Sequence, residues 1–194
     1  VYKGETITLP LPGTFNIYNA LAALTYGETQ EISVETMKRG LESLKQIRGR
    51  VEKVTVGNKQ NFTVVVDYAH TDDSLKKLYE TFPKKKGARN IAVLGGTGGG
   101  RDSWKRQVMG AIADEYCDEI ILTNEDPYDE DPQKIIDEIK EGVTKHTPKI
   151  IINRREAIRE AFTLAKKNDV VLITGKGTDP FIMGPNGTKE VWDD

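Results

Sequence analysis

The stretch Val64-Val-Val-Asp-Tyr-Ala-His-Thr-Asp-Asp-Ser-Leu75 decides how this chain reads. Three β-branched residues predict a buried strand, and polar residues follow at once where a helix should begin. Asp67, Tyr68 and His70 therefore belong to the carboxyl end of a strand, the edge at which open α/β sheets bind ligands.

Outward from this stretch, strand and helix alternate. Downstream, helices are expected over 72–82, 102–116, 132–144 and 155–167, and strands over 91–94, 118–123, 149–152 and 170–174. Lys84-Lys-Lys-Gly87 reads as a solvated turn, and residues 181–191 read as a terminal hairpin turning at Pro185-Asn-Gly187. Just upstream, strands over 51–56 and 62–67 are joined through Gly57-Asn58, a hairpin-like turn signal. Repeated strand–helix units of this length imply a Rossmann-like α/β fold, a mostly parallel doubly wound sheet with right-handed crossovers.

The first residues differ. Residues 2–10 alternate weakly and predict an edge strand closed by Pro10 and Pro12. A helix opens at Gly13-Thr-Phe-Asn16, with Thr14 as N-cap and Ile17, Ala20, Leu21 and Leu24 as its packing face. Asn16 and Asn19, three apart, project from one side near its start; local hydrogen bonding is the plainer reading. A second helix has Ser33 as N-cap, Glu35 in its first turn and Val34, Met37, Leu41 and Leu44 as its stripe, ending near Arg48-Gly-Arg50. Two helices are too little for an independent core. A boundary is placed near Gly49, making residues 1–49 a helical fragment of a second domain and 50–194 the main one.

Composition narrows the class. A chain of 194 residues with 37% hydrophobic and 30% charged residues suits a soluble globular protein, and a net charge of −2 argues against a general nucleic-acid footprint. No apolar run approaches the roughly 20 residues of a membrane helix. The lone Cys117 excludes an internal disulfide and points to a reducing cytoplasm; with only two histidines, a structural zinc site is disfavoured.

Four loops, after Val66, Leu94, Thr123 and Thr174, follow buried strands and should gather along one edge of the sheet, which is the main argument for a site. Gly95 and Gly100 have P-loop spacing, but Arg101-Asp102 replaces the required Lys-Ser/Thr, and the dinucleotide glycine fingerprint also fails. What remains is a helix start with exposed N–H groups plus Arg101, suited to a carboxylate or phosphate, or else a tight turn with Arg101 solvated. Residues 124–131 carry five carboxylates, either a solvated turn before a helix or a pocket for a cationic group. Gly175-Lys-Gly-Thr-Asp179 is equally a plain turn or a site loop, and His70 read alone is a capping histidine. No Ser/His/Asp or Cys/His set suggests covalent catalysis.

Taken together, Gly13-Thr-Phe-Asn-Ile-Tyr-Asn-Ala, Gly49-Arg-Val-Glu, Asp67-Tyr-Ala-His, Gly98-Gly-Gly-Arg-Asp-Ser-Trp-Lys-Arg, Thr123-Asn-Glu-Asp-Pro-Tyr-Asp-Glu-Asp-Pro and Gly175-Lys-Gly-Thr-Asp resemble, in order, the motifs of the Mur ligase family. These are ATP-dependent amino acid ligases of peptidoglycan synthesis, and the chain looks most like the branch that adds the third stem residue. The resemblance implies the end of the central ATPase domain followed by the C-terminal domain, without the P-loop, its magnesium ligands or the catalytic lysine. By that analogy the chain alone does not catalyse ligation. ATP, Mg2+ held by the absent central domain, an amino acid and a UDP-N-acetylmuramoyl-peptide are the implied cofactors and partners, with no metal in this chain, no nucleic acid, no membrane and a monomer expected. Asn16, Asn19, Arg50, Asp67 and His70 would serve ATP. Arg101 would grip the incoming amino acid's carboxylate, and Glu125, Asp126, Tyr128, Gly175 and Asp179 would meet its side chain.

The chain departs from the family where diaminopimelate-adding members carry Asp-Asn-Pro-Arg: it has Glu125-Asp-Pro-Tyr128. Lys-Gly-His-Glu is likewise Lys176-Gly-Thr-Asp179. A pocket with an extra acid and no cation suits a side chain ending in an amine, such as lysine or ornithine. The alternatives are a related ligase of the folylpolyglutamate or cyanophycin synthetase type, and a non-catalytic amino acid or nucleotide-binding module. A dinucleotide-binding oxidoreductase is disfavoured by the failed fingerprint.

Overall fold

The computed structural model describes residues 1–55, 57, 58 and 60–194, which fall into two compact units, Val1–Ile47 and Arg48–Asp194. In the first, helix α1 spans Phe15–Thr29 and α2 spans Val34–Ser43. Ser33 caps α2 as expected, its side chain accepting from the Thr36 N–H, but α2 buries no residue and stops at Ser43, because Leu44 turns to extended backbone. The strand expected over 2–10 is absent. Lys3 and Gly4 are left-handed and reverse the chain at once, leaving only an isolated bridge between Tyr2 and Glu5. Thr14 precedes α1 with helical backbone and makes no capping bond. The face that α1 buries is Asn16, Ala20, Leu24 and Gly27, while Ile17 and Leu21 are 53% and 41% exposed.

The second unit alternates as the sequence predicts: β1 (Glu52–Val54), β2 (Thr63–Asp67), α3 (Asp72–Thr81), β3 (Asn90–Leu94), α4 (Trp104–Tyr116), β4 (Glu119–Leu122), α5 (Pro132–Lys140), β5 (Lys149–Ile150), α6 (Arg154–Leu164) and β6 (Val170–Thr174). A hairpin of β7 (Phe181–Met183) and β8 (Lys189–Val191) closes the chain through a short 3-10 turn at Pro185–Gly187. Val56, the expected end of the first of these strands, lies outside the described residues.

The main sheet has the order β1-β2-β6-β3-β4-β5, parallel throughout except for β1, which pairs antiparallel with β2. Central β-branched runs are buried on both faces, as parallel strands between helices must be. Val64, Val66, Ile91, Val93, Ile121, Val171 and Ile173 pack with Ala157 and Ala161 of α6. The alternate residues face α3, α4 and α5, which supply Leu75, Leu78, Met109, Ala113, Ile135 and Ile139 to the core.

Helix ends are set by side chains that capture backbone groups. Thr71 and Ser74 form a capping box at α3, Asp131 caps α5 and Asn153 caps α6. Helix α5 ends at Lys140, short of the expected 144. The buried Asp114 instead takes the N–H groups of Thr144, Lys145 and His146, together with His146 Nδ1.

Candidate functional site

Strands β2, β6, β3 and β4 are adjacent and parallel, so the four glycine-rich or acidic loops do meet at one carboxyl edge. The Gly175 N–H donates to Asp67 O (3.2 Å) and the Gly98 N–H to Asp126 O (2.7 Å), tying these loops pairwise.

At the β2 end, Asp67 is 8% exposed, and its two oxygens accept the Val51 N–H (2.7 Å) and Ala69 N–H (2.8 Å). Burial raises its pKa, and the two amides and the Arg50 charge oppose that rise. The Arg50 guanidinium lies over the Tyr68 ring at 4.7 Å. His70 meets the same ring edge-on at 4.7 Å, with Nδ1 2.9 Å from Tyr68 O; Thr71, not His70, caps the helix. Arg50, Asp67 and His70 are thus grouped around Tyr68. Gly177, left-handed at φ 53°, packs so close to Tyr68 that a Cβ would stand 2.8 Å from the tyrosine Cβ, which joins this group to the β6 loop. Asn16 and Asn19 belong to the other unit. There Asn19 donates to Asn16 Oδ1 (3.0 Å) and Asn16 to Pro12 O (2.6 Å), the local bonding that was the plainer reading.

The glycine loop after β3 is not an open anion cradle. Residues 95–98 are buried. A Cβ at Gly95 would meet Thr123 O and Glu125 Cβ at 2.9 Å, and one at Gly98 would meet Pro127 O at 2.1 Å. These glycines admit the β4 loop, and the Gly100 N–H is taken by Glu130 (2.8 Å). Arg101 stays exposed, its guanidinium 5.5 Å from the Tyr128 ring centre. Tyr128 has φ 52°, a strained value for a bulky residue, and its N–H is held by Met183 O (3.0 Å).

The acidic run is neither a solvated turn nor a pocket without a cation. Asp129 accepts the Asn186 N–H, Asp131 caps α5, and Glu130 binds Arg106 (3.0 Å), a buried arginine that also holds Glu138 and Thr97 O. Asp126 holds the fully buried Lys176 through both oxygens, at 2.7 and 2.8 Å, and Lys176 also reaches Asp179 Oδ2 at 3.1 Å. The cation that a linear reading of the pocket lacks is Lys176, two residues beyond the end of β6.

Glu125 is 2% exposed; Oε1 accepts from Thr97 Oγ1 (2.7 Å), while Oε2 has no partner and presses against Gly175. Burial raises its pKa, against the pull of Thr97 and Arg154. Arg154 was also missed, because the helix was expected to start one residue later. It is buried, forks onto Asp194 at 2.7 and 2.6 Å, and donates to Thr174 O (2.9 Å). Its type and position, a cation opening a helix at the carboxyl edge, were the only signal.

The edge therefore carries two exposed arginines on aromatic rings, Arg50 over Tyr68 and Arg101 near Tyr128, and a half-exposed carboxylate, Asp179. It can bind anionic groups at the two arginines and an ammonium group at the carboxylate. No cluster of three or more His, Cys, Asp or Glu side chains among the described residues is placed to hold a metal.

A profile described as "Mur ligase, glutamate ligase domain" matches residues 49–177. The UDP-N-acetylmuramoyl-L-alanyl-D-glutamate--2,6-diaminopimelate ligase of Clostridium tetani is 43% identical over 93% of this chain, and that of Bacillus licheniformis is 42% identical over 92%. The chain spans 37% and 36% of their lengths. A solved structure of a ligase of the same name superposes with a TM-score of 0.69 at 32% identity, covering 96% of this chain and 38% of that one. The folylpolyglutamate synthase of Mycobacterium tuberculosis, at 20% identity and TM-score 0.67 over 87% of this chain and 39% of that one, shares the fold.

Proposed function

Because the chain belongs to the Mur ligase family, we propose that it is the amino-acid-binding, carboxy-terminal part of an ATP-dependent ligase. In this reading the enzyme is of the MurE type and joins a third amino acid to a UDP-N-acetylmuramoyl-dipeptide in peptidoglycan synthesis. Residues 1–49 are the tail of the central ATPase domain and 50–194 the C-terminal domain. The observation that carries the reading is the gathering at one sheet edge of the Arg50–Asp67–Tyr68–His70 group, the Arg101–Tyr128 pair and the β6 loop, whose Gly177 packs against Tyr68.

ATP, when bound, supplies the phosphoryl group that activates the acceptor carboxylate for attack by the incoming amine. Within this chain, Arg50 lies by the phosphates, backed by the Tyr68 ring. Asp67, fixed by two amides, would turn its remaining lone pairs to ribose hydroxyls, with His70 beside it; by the family resemblance Asn16 and Asn19 of the other unit would serve the adenine. Arg101 holds the amino acid's α-carboxylate; a bidentate guanidinium suits that group. Tyr128 and Asp179 meet its side chain, over a floor of Glu125, Asp126 and Gly175. By the family resemblance, magnesium would be held by ligands of the central domain.

The side chain taken is that of a diamino acid, lysine or ornithine. Lys176 offsets one carboxylate of the pair Asp126 and Asp179, and one negative charge remains; Tyr128 offers no cation to a distal carboxylate. The setting is the cytoplasm, on the buried free Cys117, with no nucleic acid, no membrane partner and a monomer. No helix among the described residues is long and apolar enough to cross a membrane.

The test is phosphate release from ATP by the longer ligase, given UDP-N-acetylmuramoyl-dipeptide and one amino acid at a time. Stimulation by lysine or ornithine is expected. Stimulation by diaminopimelate alone would keep the ligase and discard the diamino preference. Stimulation by glutamate on a folate acceptor would favour the folylpolyglutamate type, and no release with any amino acid would favour a binding module.

A further inference from the structure

Lys176 is 0% exposed; its ammonium group hydrogen-bonds both oxygens of Asp126, at 2.7 and 2.8 Å, and forms an ion pair with Asp179 Oδ2 at 3.1 Å. Asp126 is closed off as well, since it is 7% exposed and Oδ1 also accepts the Met183 N–H at 2.8 Å. Asp179 is not: its side chain is 30% exposed, and Oδ1 takes only a long 3.4 Å bond from the Phe181 N–H. Two carboxylates thus share one cation, and the surplus negative charge falls on the only one of the three groups that solvent and ligand can reach.

We propose that Lys176 is a built-in counter-ion that leaves the Asp126–Lys176–Asp179 group with one negative unit centred on Asp179, so that this group takes an amino acid side chain bearing a single ammonium group. The inference rests on the reading of this edge as the amino acid site. Lys176 does not touch the substrate; it is a positioning residue that acts through Asp126 and Asp179. By closing on Asp126 it removes a competing acceptor that would draw the ammonium deeper, and by bridging to Asp179 it holds that carboxylate on the rim. Two unpaired carboxylates at this depth would be costly without a second cation, and the pocket would then favour a doubly charged ligand.

The experiment compares lysine with norleucine, which lacks the ammonium group, in the phosphate-release assay of the longer ligase, for the wild type, Lys176→Met and the double variant Asp126→Asn/Lys176→Met. The readout is the ratio of kcat/KM for the two amino acids, split into KM and kcat, with thermal unfolding recorded in parallel. The wild type should favour lysine at least tenfold, mainly through KM. Lys176→Met, with Asp126 and Asp179 both uncompensated, should lose at least tenfold in the lysine-to-norleucine ratio of kcat/KM. The double variant removes one charge of each sign; its lysine-to-norleucine ratio should return to within threefold of the wild type, whatever its absolute rate. A double variant that folds yet shows no lysine preference overturns the counter-ion role, as does Lys176→Met with an unaltered ratio. If Lys176→Met does not fold, the double variant decides alone. A wild type stimulated by no amino acid overturns the site reading itself, and the inference with it.

Discussion

Each acid of residues 124–131 has its own fate, set by what lies opposite it in the fold. Glu125 is the one whose buried carboxyl keeps an unpartnered oxygen, and burial raises its pKa. A carboxyl whose folded pKa exceeds its unfolded value binds more protons when folded, so it lowers stability as pH rises from the unfolded value through the folded one. Glu125→Gln keeps the acceptor for Thr97 and removes that penalty. Urea unfolding should therefore show the variant gaining on the wild type as pH rises above the unfolded carboxylate value, and a constant difference would refute the assignment. Asp114 runs the other way. Three backbone amides and His146 hold its pKa down against burial. Its contribution is complete above the unfolded carboxylate range and is lost as pH falls through the lower folded value, so Asp114→Asn should destabilise at pH 7 and matter little in strong acid. Arg154→Met, which strips the buried Asp194 of its partner, should cost about 3–5 kcal/mol in the same assay. None of these three environments was legible in the sequence, because burial and hydrogen-bond partners 20 to 40 positions away decide them. The presence of charged residues at strand ends was legible.

Among elements, the strands and helices of the second unit follow the hydrophobic pattern closely, and their ends do not. Ends depend on which side chain captures the last amides: Thr71 and Ser74 at α3, Asp114 beyond α5. Thr71→Ala should cost about 1 kcal/mol, the usual worth of an N-cap, read as a shifted denaturation midpoint with an unchanged slope. The crossing of α4 and α5 has a similar hidden dependence. A Cβ at Gly110 would stand 1.9 Å from Ile139 O, and one at Gly142 would stand 1.9 Å from Gln107 O. Gly110→Ala must push the helices apart, and a loss at or above the upper end of ~1–3 kcal/mol is expected from thermal unfolding. Of the two readings of the glycine loop after β3, the tight turn with Arg101 solvated is the one its packing matches. Its glycines serve the approach of a neighbouring loop, which no local spacing reveals.

For the whole molecule, the two units differ in what each can bury. The second holds a continuous core across the central strands of its six-stranded sheet, whereas in the first α2 buries nothing and α1 leaves Ile17, Tyr18, Leu21 and Tyr26 exposed. A chain beginning at Arg48 should therefore fold, with a melting temperature within about 4 °C of the full chain, and residues 1–47 alone should show no cooperative transition. A second unit that melts only together with the first would contradict this.

The sequence by itself determined the order of elements, the parallel sheet and the edge at which its polar loops gather. Those follow from periodicity, β-branched runs and the right-handed crossover, all local or topological rules. Only the tertiary structure decided which charges at that edge are free. Lys176 and Arg154 look like surface cations in a linear reading, yet they fold inward onto Asp126 and Asp194, because a carboxylate closed off from water requires a cation of the chain's own. Arg50, Arg101 and Asp179, which the fold leaves open to solvent, remain to meet a ligand.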